Sequence, residues 1–180
     1  MTGTTLTTAR LHLRTVASGD FEDFYALTLG DDMSRFLGPE PPSRESSFNR
    51  LLRNAGCWML FGWGPFTVLD RDSGAYVGTC GLFRGLRGLG DDFDPYPEAG
   101  WVIARDFWSR GYATEAMAAI LNWFEAKHDG GRSVCMISAG NTASESTARK
   151  LGYRSIGAAD YKGDAVIRYA REGGASHPIA

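Results

Sequence analysis

Short runs in which apolar and polar residues alternate mark the first strands of this chain. Leu11 and Leu13 alternate with His12 and Arg14, so one face of a short strand is apolar. Aromatic and branched residues dominate several later runs, which we also predict to be strands. These runs cover residues 58–69, with a central Gly-Pro irregularity, then 76–83, 98–103 and 134–139, with terminal strands at Ile156 and at 166–169.

The spacing of apolar residues changes to that of a helix in four other segments. The longest opens at Gly111 and carries its apolar residues on one face, and Gly130 with Gly131 is predicted to stop it. The other three helices are predicted to begin at residues 18–20, at Ser43 and at Thr142. Two Pro-containing pairs within residues 33–42 cannot continue a helix and predict a loop.

The order of these elements predicts the fold class. Strands that follow one another before residue 104 imply antiparallel pairing, and the strand–helix–strand piece from 98 to 139 implies one parallel crossover. We expect a mixed α/β (α+β) fold with a mostly antiparallel sheet of about six or seven strands and about four flanking helices. One domain would span residues 1–180, with its core at about 8–170 and a frayed tail from about 173. A ligand is expected at the crossover.

Composition and charge exclude several classes of protein. The 180 residues include 19 basic and 21 acidic side chains, a net charge of −2 that argues against binding nucleic acid through positive charge. Three scattered cysteines without metal-ligand spacing predict buried thiols in a reducing compartment and no metal site; they are Cys57, Cys80 and Cys135. No signal peptide or membrane-spanning run is visible, so we expect a cytoplasmic protein with no membrane association.

The strongest chemical signal is the segment WSRGYATEA at residues 108–116, which follows a strand and opens the longest helix. Backbone N–H groups at a helix start point towards one place, and the helix dipole favours negative charge there. Gly111 would let a ligand approach the backbone closely, and Arg110 would add a cation. The segment therefore predicts a pyrophosphate site, with an ordinary glycine-containing helix start as the alternative.

A second signal lies after the strand at 134–139. Thr142 and Glu145 fit a capping box, which would make Thr142 the helix cap and leave the Asn141 amide free to bind a ligand. Ser144 would lie in the first turn beside the same gap. The alternative is that Asn141 is itself the cap and Ser144 is a surface residue.

These motifs resemble those of the GNAT superfamily of acetyl-CoA-dependent N-acetyltransferases. The likeness is to the subgroup that contains the ribosomal-protein N-terminal acetyltransferases, and it covers about residues 8–170. It rests on the order of EAGWVI at 98–103, WSRGYATEA at 108–116, NTAS at 141–144 and KLGY at 150–153. Trp108 stands where the superfamily often has Gln or Arg, and an aromatic residue is common there in this subgroup.

The resemblance implies roles for particular residues. The donor would be acetyl-CoA, with its pantetheine arm paired to Val102 and Ile103 and bonded by Asn141 from the other side. Lys150 or Arg149 would reach the adenosine phosphates. The pyrophosphate would lie on the backbone amides of Arg110, Gly111, Tyr112, Ala113 and Thr114.

The reaction so implied is direct attack of a primary amine on the thioester. The amine must lose a proton, and a carboxylate with a raised pKa can accept it. Glu98 matches the subgroup's glutamate at this place and is the first candidate, ahead of Asp91, Asp92 and Asp94. The alternative is that Glu98 is a rim carboxylate without a catalytic part. Ser144 matches the serine thought to protonate the leaving sulfur.

Two other functions remain open from the sequence. A catalytically silent acetyl-CoA sensor would keep the cofactor site but would need neither Glu98 nor Ser144. A nucleotide-binding protein of another fold fits Gly111 but not the antiparallel strands. The acceptor is open among protein N-termini, other proteins, antibiotics, polyamines and small metabolites. The acidic segment 91–98 would attract a cationic amine, although its composition favours a solvated loop. Relatives of this kind often pair, so we expect a homodimer.

Overall fold

Eight strands and four helices make up the part of the chain that the computed structural model describes, residues 3–29, 42–128 and 131–174. Two short 3₁₀ turns, Ser18–Asp20 and Arg105–Phe107, precede helices. The strands are β1 Thr5–Thr7, β2 Leu11–Thr15, β3 Phe66–Asp70, β4 Tyr76–Phe83, β5 Glu98–Ile103, β6 Ser133–Ser138, β7 Arg154–Tyr161 and β8 Asp164–Arg171. The helices are α1 Phe21–Thr28, α2 Arg44–Phe61, α3 Tyr112–Lys127 and α4 Thr142–Lys150.

All eight strands belong to one sheet in the order β1-β2-β3-β4-β5-β6-β8-β7. Every neighbouring pair is antiparallel except β5 and β6, which are parallel and joined through α3. The predicted fold class is confirmed. The sheet has more strands than we predicted, because β1 is only three residues long and gives no pattern in the sequence.

The parallel pair is the weakest seam of the sheet. β5 pairs with β4 at six positions and β6 pairs with β8 at six positions, whereas β5 meets β6 at one position, Glu98 opposite Val134. There the Val134 N–H donates to the Pro97 carbonyl at 2.9 Å. Both strands are therefore anchored on their outer sides, and a gap lies between them towards their carboxyl ends.

Helix α3 covers one face of the sheet with the apolar side that the sequence predicts. Ala116, Met117, Ile120 and Leu121 are all at most 1% exposed and belong to the same cluster as the strand residues. Burying a side chain of the larger kind contributes about 1.5–3 kcal/mol, so this face fixes the crossover helix against the sheet. The helix ends at Lys127, with His128 as its C-terminal cap residue, and the predicted stop at Gly130 lies outside the described residues.

The prediction of a strand over residues 58–69 is wrong in its first half. Helix α2 continues to Phe61 and ends at Gly62, which adopts a left-handed φ of +74°. The Trp58 indole N–H donates to the Pro65 carbonyl at 2.8 Å, which fixes the turn before β3. Aromatic residues favour both a strand and a packed helix end, so their enrichment did not locate the boundary.

Helix α2 also carries large apolar side chains on its exposed side, where the sequence showed no apolar stripe. Leu52, Met59 and Leu60 are each more than half exposed. The predicted loop at 33–42 lies almost wholly outside the described residues. The remaining predicted helices and strands are present, with bounds that differ by a few residues.

A buried carboxylate ties α1 to the sheet. Asp20, 5% exposed, accepts hydrogen bonds from Arg14 Nη1 at 2.9 Å and Nη2 at 2.6 Å, from Thr67 Oγ1 at 2.6 Å and from the Ala17 N–H at 2.9 Å. Burial acts against the charge, but these donors hold the pKa of Asp20 below its usual value.

Replacing Asp20 by alanine is expected to lower the free energy of unfolding by about 3 kcal/mol, because Arg14 and Thr67 lose a buried acceptor. Urea unfolding measures this, with Asp23→Ala, an exposed acid of the same helix, expected to cost about 0.5 kcal/mol or less. Since the folded state lowers the pKa of Asp20, its stabilisation is present above about pH 4 and is lost as the pH falls further. Equal losses for the two variants would contradict this role.

Candidate active site

The first turn of α3 is open to a ligand. Its N-terminal cap residue is Gly111, at a left-handed φ of +79°, and no side chain caps the helix. The first intrahelical bond runs from the Glu115 N–H to the Gly111 carbonyl at 3.0 Å. Among the described residues, the N–H groups of Tyr112, Ala113 and Thr114 have no acceptor. Three free donors at the positive end of a helix dipole form a seat for an anion.

A brace from the other end of the chain holds this turn in place. The Glu115 carboxylate accepts hydrogen bonds from Thr8 Oγ1 at 2.6 Å, from the Arg10 N–H at 3.0 Å and from Arg10 Nε at 2.7 Å. Arg10 Nη1 donates to the Arg110 carbonyl at 2.9 Å, and its guanidinium lies 4.5 Å from the centre of the Tyr112 ring. The turn between β1 and β2 thus fixes the loop that precedes α3.

The backbone of β5 presents unpaired groups to the gap. The Ala104 N–H donates to the Val77 carbonyl of the β4 side at 2.8 Å, so Val102, two residues earlier, also directs its backbone groups towards β4. Trp101 and Ile103 direct theirs towards the gap. The backbone edge that faces the gap therefore belongs to Trp101 and Ile103. Of the two residues predicted to pair with an extended ligand, Ile103 faces the gap and Val102 does not; Trp101 faces it instead.

One of these groups is already bonded. The Ile103 carbonyl accepts a hydrogen bond from the Trp108 indole N–H at 2.6 Å. Trp101 keeps both its N–H and its carbonyl on the gap side, and Ile103 keeps its N–H. On the other side of the gap, the Ala139 N–H donates to the Ala165 carbonyl of the β8 side at 2.9 Å. By the same alternation, the backbone groups of Met136 and Ser138 of β6 face the gap.

The predicted capping box at α4 is wrong. Asn141, not Thr142, is the cap, and its Oδ1 accepts from the Ser144 N–H at 3.1 Å. Glu145 bonds Arg149 at 2.6 Å instead of closing a box. An asparagine competes well with threonine for a cap, and here the chain turns one residue earlier. Only the NH₂ of Asn141 is left to bind a ligand.

Ser144 lies half-buried in the first turn of α4, beyond the carboxyl end of β6. Its hydroxyl has no hydrogen-bond partner within the ranges that the structure describes. The hydroxyl is thus available as a hydrogen-bond donor, which the role implied by the resemblance would require.

Lys150 lies at the far end of α4 from Ser144. Three residues beyond it, the Tyr153 hydroxyl bonds Ser133 Oγ at 2.8 Å, at the start of β6. The anion seat follows the carboxyl end of β5, about 17 Å along the strand direction from the end of the sheet where β5 and β6 begin. The prediction that Lys150 reaches the adenosine phosphates has no support from this placement.

Glu98 lies at the closed end of the gap and is buried, with 3% exposure. Arg87 Nε donates to both of its oxygens, at 2.8 and 2.6 Å. Burial raises the pKa of the Glu98 carboxyl, while Arg87 and Arg53 act in the opposite direction. Gly85 packs where a Cβ would collide with Glu98 Oε2. The sequence analysis did not identify Arg87 as the partner of this acid.

The three aspartates that competed with Glu98 are less suited to act as a base. Asp94 accepts hydrogen bonds from the Arg87 and Leu89 N–H groups at 2.9 and 3.0 Å, and so shapes the loop. Asp92 pairs with Arg168 at 2.7 Å. Asp91 is exposed. Two of the three carboxylates are therefore engaged in structure, and the third is held only by a surface loop.

Other candidate nucleophiles and proton donors lie in the core. Cys57, Cys80 and Cys135 are all free and buried, and burial raises the pKa of Cys80 to about 12 and that of Cys135 well above its usual value. Tyr153 is buried as predicted, and burial raises the pKa of its hydroxyl far above its usual range. Within the described ranges no group of His, Cys, Asp and Glu side chains could hold a metal ion, and no helix there could cross a membrane.

Comparison with known proteins decides the family. The acetyltransferase (GNAT) domain family matches residues 10–154. The chain belongs to the GNAT acetyltransferase family. The resemblance seen in the motifs is thereby confirmed, and with it the assignment of the chain as an acetyltransferase.

Solved structures agree with this assignment. A GNAT-family protein from Bordetella pertussis is 29% identical, with a TM-score of 0.84 over 93% of this chain and 99% of that chain. An acetyltransferase from Agrobacterium tumefaciens is 27% identical, with a TM-score of 0.78 over 92% and 94%. RimL, a ribosomal L7/L12 α-N-protein acetyltransferase in complex with coenzyme A, has a TM-score of 0.75 over 94% and 98% at 16% identity, which shows a shared fold.

The brace around this GNAT loop can be tested without a ligand. Arg10→Ala removes the bond to the Arg110 carbonyl, so amide hydrogen exchange in residues 108–114 is expected to speed up by about tenfold or more. Arg149→Ala, which removes an exposed ion pair on α4, is the control and should leave these amides unchanged. Unaltered exchange in Arg10→Ala would show that the loop holds itself.

Proposed function

We propose that this GNAT acetyltransferase transfers the acetyl group of acetyl-CoA to a primary amine by direct attack, without an acyl-enzyme. The observation that carries the proposal is the continuous path from the uncapped start of α3, along the open edge of β5, to the buried Glu98 at the closed end of the gap. An anion seat, an edge for an extended arm and a base lie in the order that acetyl-CoA and an amine require.

The residues present fit acetyl-CoA. The pyrophosphate would lie on the N–H groups of the first turn of α3, with Arg110 adding a cation from the exposed loop. The pantetheine arm would pair with Trp101 and Ile103 as an extra strand, and the Asn141 NH₂ would bond it from the other side. When bound, acetyl-CoA supplies a thioester carbonyl carbon as the electrophile.

Protons move at two places in this scheme. An ammonium must lose a proton before its nitrogen can form the new C–N bond, and Glu98 accepts it, directly or through a water molecule. The C–S bond breaks as the C–N bond forms, and the Ser144 hydroxyl donates a proton to the departing sulfur. The second proton that the nitrogen loses on becoming an amide restores the Ser144 hydroxyl, directly or through water. Arg87 acts as a positioning residue because its Nε holds both oxygens of Glu98.

The buried cysteines support direct transfer. A thiol attacks as its thiolate, and burial disfavours the thiolates of Cys80 and Cys135. Free thiols also fit a cytoplasmic location. A protein N-terminus is one acceptor within this proposal, since RimL is a ribosomal L7/L12 α-N-protein acetyltransferase. That this protein forms a homodimer stays a prediction.

Binding of the donor is tested by its effect on thermal stability. Acetyl-CoA should raise the melting temperature, because it binds the folded state. At a hundredfold excess over Kd it should add about 2.7 kcal/mol to the free energy of unfolding. Gly111→Asp should abolish this shift, because its carboxylate repels phosphate. Gly163→Asp places the same side chain at a left-handed φ of +88° in the β7–β8 turn and should keep the shift. A folded Gly111→Asp protein that binds normally would refute the seat.

Turnover tests the base. Glu98→Gln should bind acetyl-CoA normally and lower kcat by roughly 10²–10⁴-fold, the usual contribution of general acid–base catalysis. The loss should shrink at high pH, where free amine is abundant without a base. Asp91→Asn, an exposed acid of the neighbouring loop, is the control and should retain turnover. Normal turnover by Glu98→Gln at neutral pH would move the role to another group.

Ser144→Ala completes this experiment. Its loss of turnover should be smaller, since a thiolate leaves well and water can replace the hydroxyl. The double variant should lose less than the product of the two single losses if both groups act in one transition state. Normal turnover by the double variant would end the acid–base scheme. Binding of acetyl-CoA without turnover of any amine would favour a sensor.

A further inference from the structure

Three arginines lie near one another beside the proposed base. The Phe83 ring lies opposite Glu98 in the β4–β5 pairing. The Arg53 guanidinium of α2 lies 5.1 Å from the centre of that ring and that of Arg87 lies 5.8 Å from it. Arg50 stands one helical turn before Arg53 on α2, so the two share a helix face. We call Arg50, Arg53 and Arg87 the arginine cluster.

The described residues leave part of the positive charge of this cluster unbalanced. Glu98 is paired with Arg87, and within the described residues no acid pairs with Arg50 or Arg53. Burial, together with the charges of Arg53 and Arg87, lowers the pKa of Arg50 to about 10. Asp94 also lies close enough for its charge to act on Glu98, so the described residues set three cations against two carboxylates and leave an excess of positive charge beside the base.

The acidic segment offsets only part of this positive charge. Asp94 is engaged by the Arg87 and Leu89 N–H groups, and Asp92 by Arg168. The attraction of this segment for a cationic amine, which the sequence left open, is thus opposed at this place by the arginine cluster. Nor does the cluster belong to the pyrophosphate seat, which lies at the other end of β5, about 17 Å away.

We infer that the arginine cluster binds an anionic group, a carboxylate or a phosphate, of the acceptor, so that the substrates are amines that also carry a negative charge. This rests on the proposed function. The amine would lie near Glu98, and the anionic group would bond Arg53 and Arg50, which are free to form charge-assisted hydrogen bonds. Simple monoamines and polyamines would lack this anchor.

Matched pairs of acceptors test the inference. The probes are α-amino acids beside their methyl esters, and aminoalkyl phosphates beside the corresponding amino alcohols. The anionic member of the preferred pair should have the higher kcat/KM, by about 10- to 100-fold, as expected for hydrogen bonds to a charged group. A preference among the carboxylates or among the phosphates identifies which anion is recognised. Equal values in all pairs, or a preference for the uncharged member, would overturn the inference.

Variants assign the preference to residues. Arg53→Gln and Arg50→Gln should lower kcat/KM for the anionic member by about tenfold or more relative to the uncharged member, chiefly through KM. Arg44→Gln is the control, because Arg44 lies on the same helix but pairs with Glu22, and it should keep the preference. An equal loss for both members of a pair would mean a structural role and would overturn the inference.

A failure of the proposed function is distinguishable from a failure of this inference. If no amine is turned over, the melting temperature is measured with coenzyme A and each probe. Stronger stabilisation by the anionic member, lost in Arg53→Gln and kept in Arg44→Gln, would support the anion site without the activity. Equal stabilisation by both members would overturn it.

Discussion

The single pairing between β5 and β6 is the constraint on which the site depends. Six paired positions hold each strand on its outer side, so the two strands keep their places without a ladder between them. A parallel pair needs a crossover, and α3 supplies it while covering the sheet. The gap therefore costs the sheet little, and it leaves backbone groups of Trp101 and Ile103 for an extended ligand.

The site also depends on a helix, α3, that begins without a side-chain cap. A capping side chain contributes about 1 kcal/mol, and Gly111 forgoes it. The brace by Thr8, Arg10 and Glu115 stabilises the turn from the side and leaves its N–H groups open. Stability is thus provided by residues that do not occupy the anion seat, which is how a binding loop can be both rigid and accessible.

Local signals in the sequence predicted the parts of the site that depend on near neighbours. Gly111 at a helix start, the apolar face of α3 and the strand 98–103 are of this kind. The choice between Asn141 and Thr142 as cap depends on one turn of chain, and here the pattern pointed to the wrong residue. The sequence could not predict which backbone groups of β5 face the gap, because the hydrogen bonds to β4 decide whether those of Val102 or of Trp101 do.

Contacts between distant parts of the chain were also beyond a reading of local pattern. Arg10 and Glu115 stand 105 positions apart, and the local sequence around either residue does not indicate that the two are in contact. Arg87 is only 11 positions from Glu98, yet the intervening loop has no regular period from which to place it. Pairs of this kind are fixed by the fold as a whole, and here they set the electrostatics of the proposed base.

Those electrostatics link the base to the acceptor. Burial raises the pKa of Glu98, while the charges of Arg87 and Arg53 lower it. An anionic group bound at Arg53 would cancel part of this positive field, because a nearby negative charge favours the protonated carboxyl. Glu98 would then be a stronger base with the acceptor in place than without it. The arginine cluster would in this way serve both to hold the acceptor and to adjust the proton transfer that the acceptor needs.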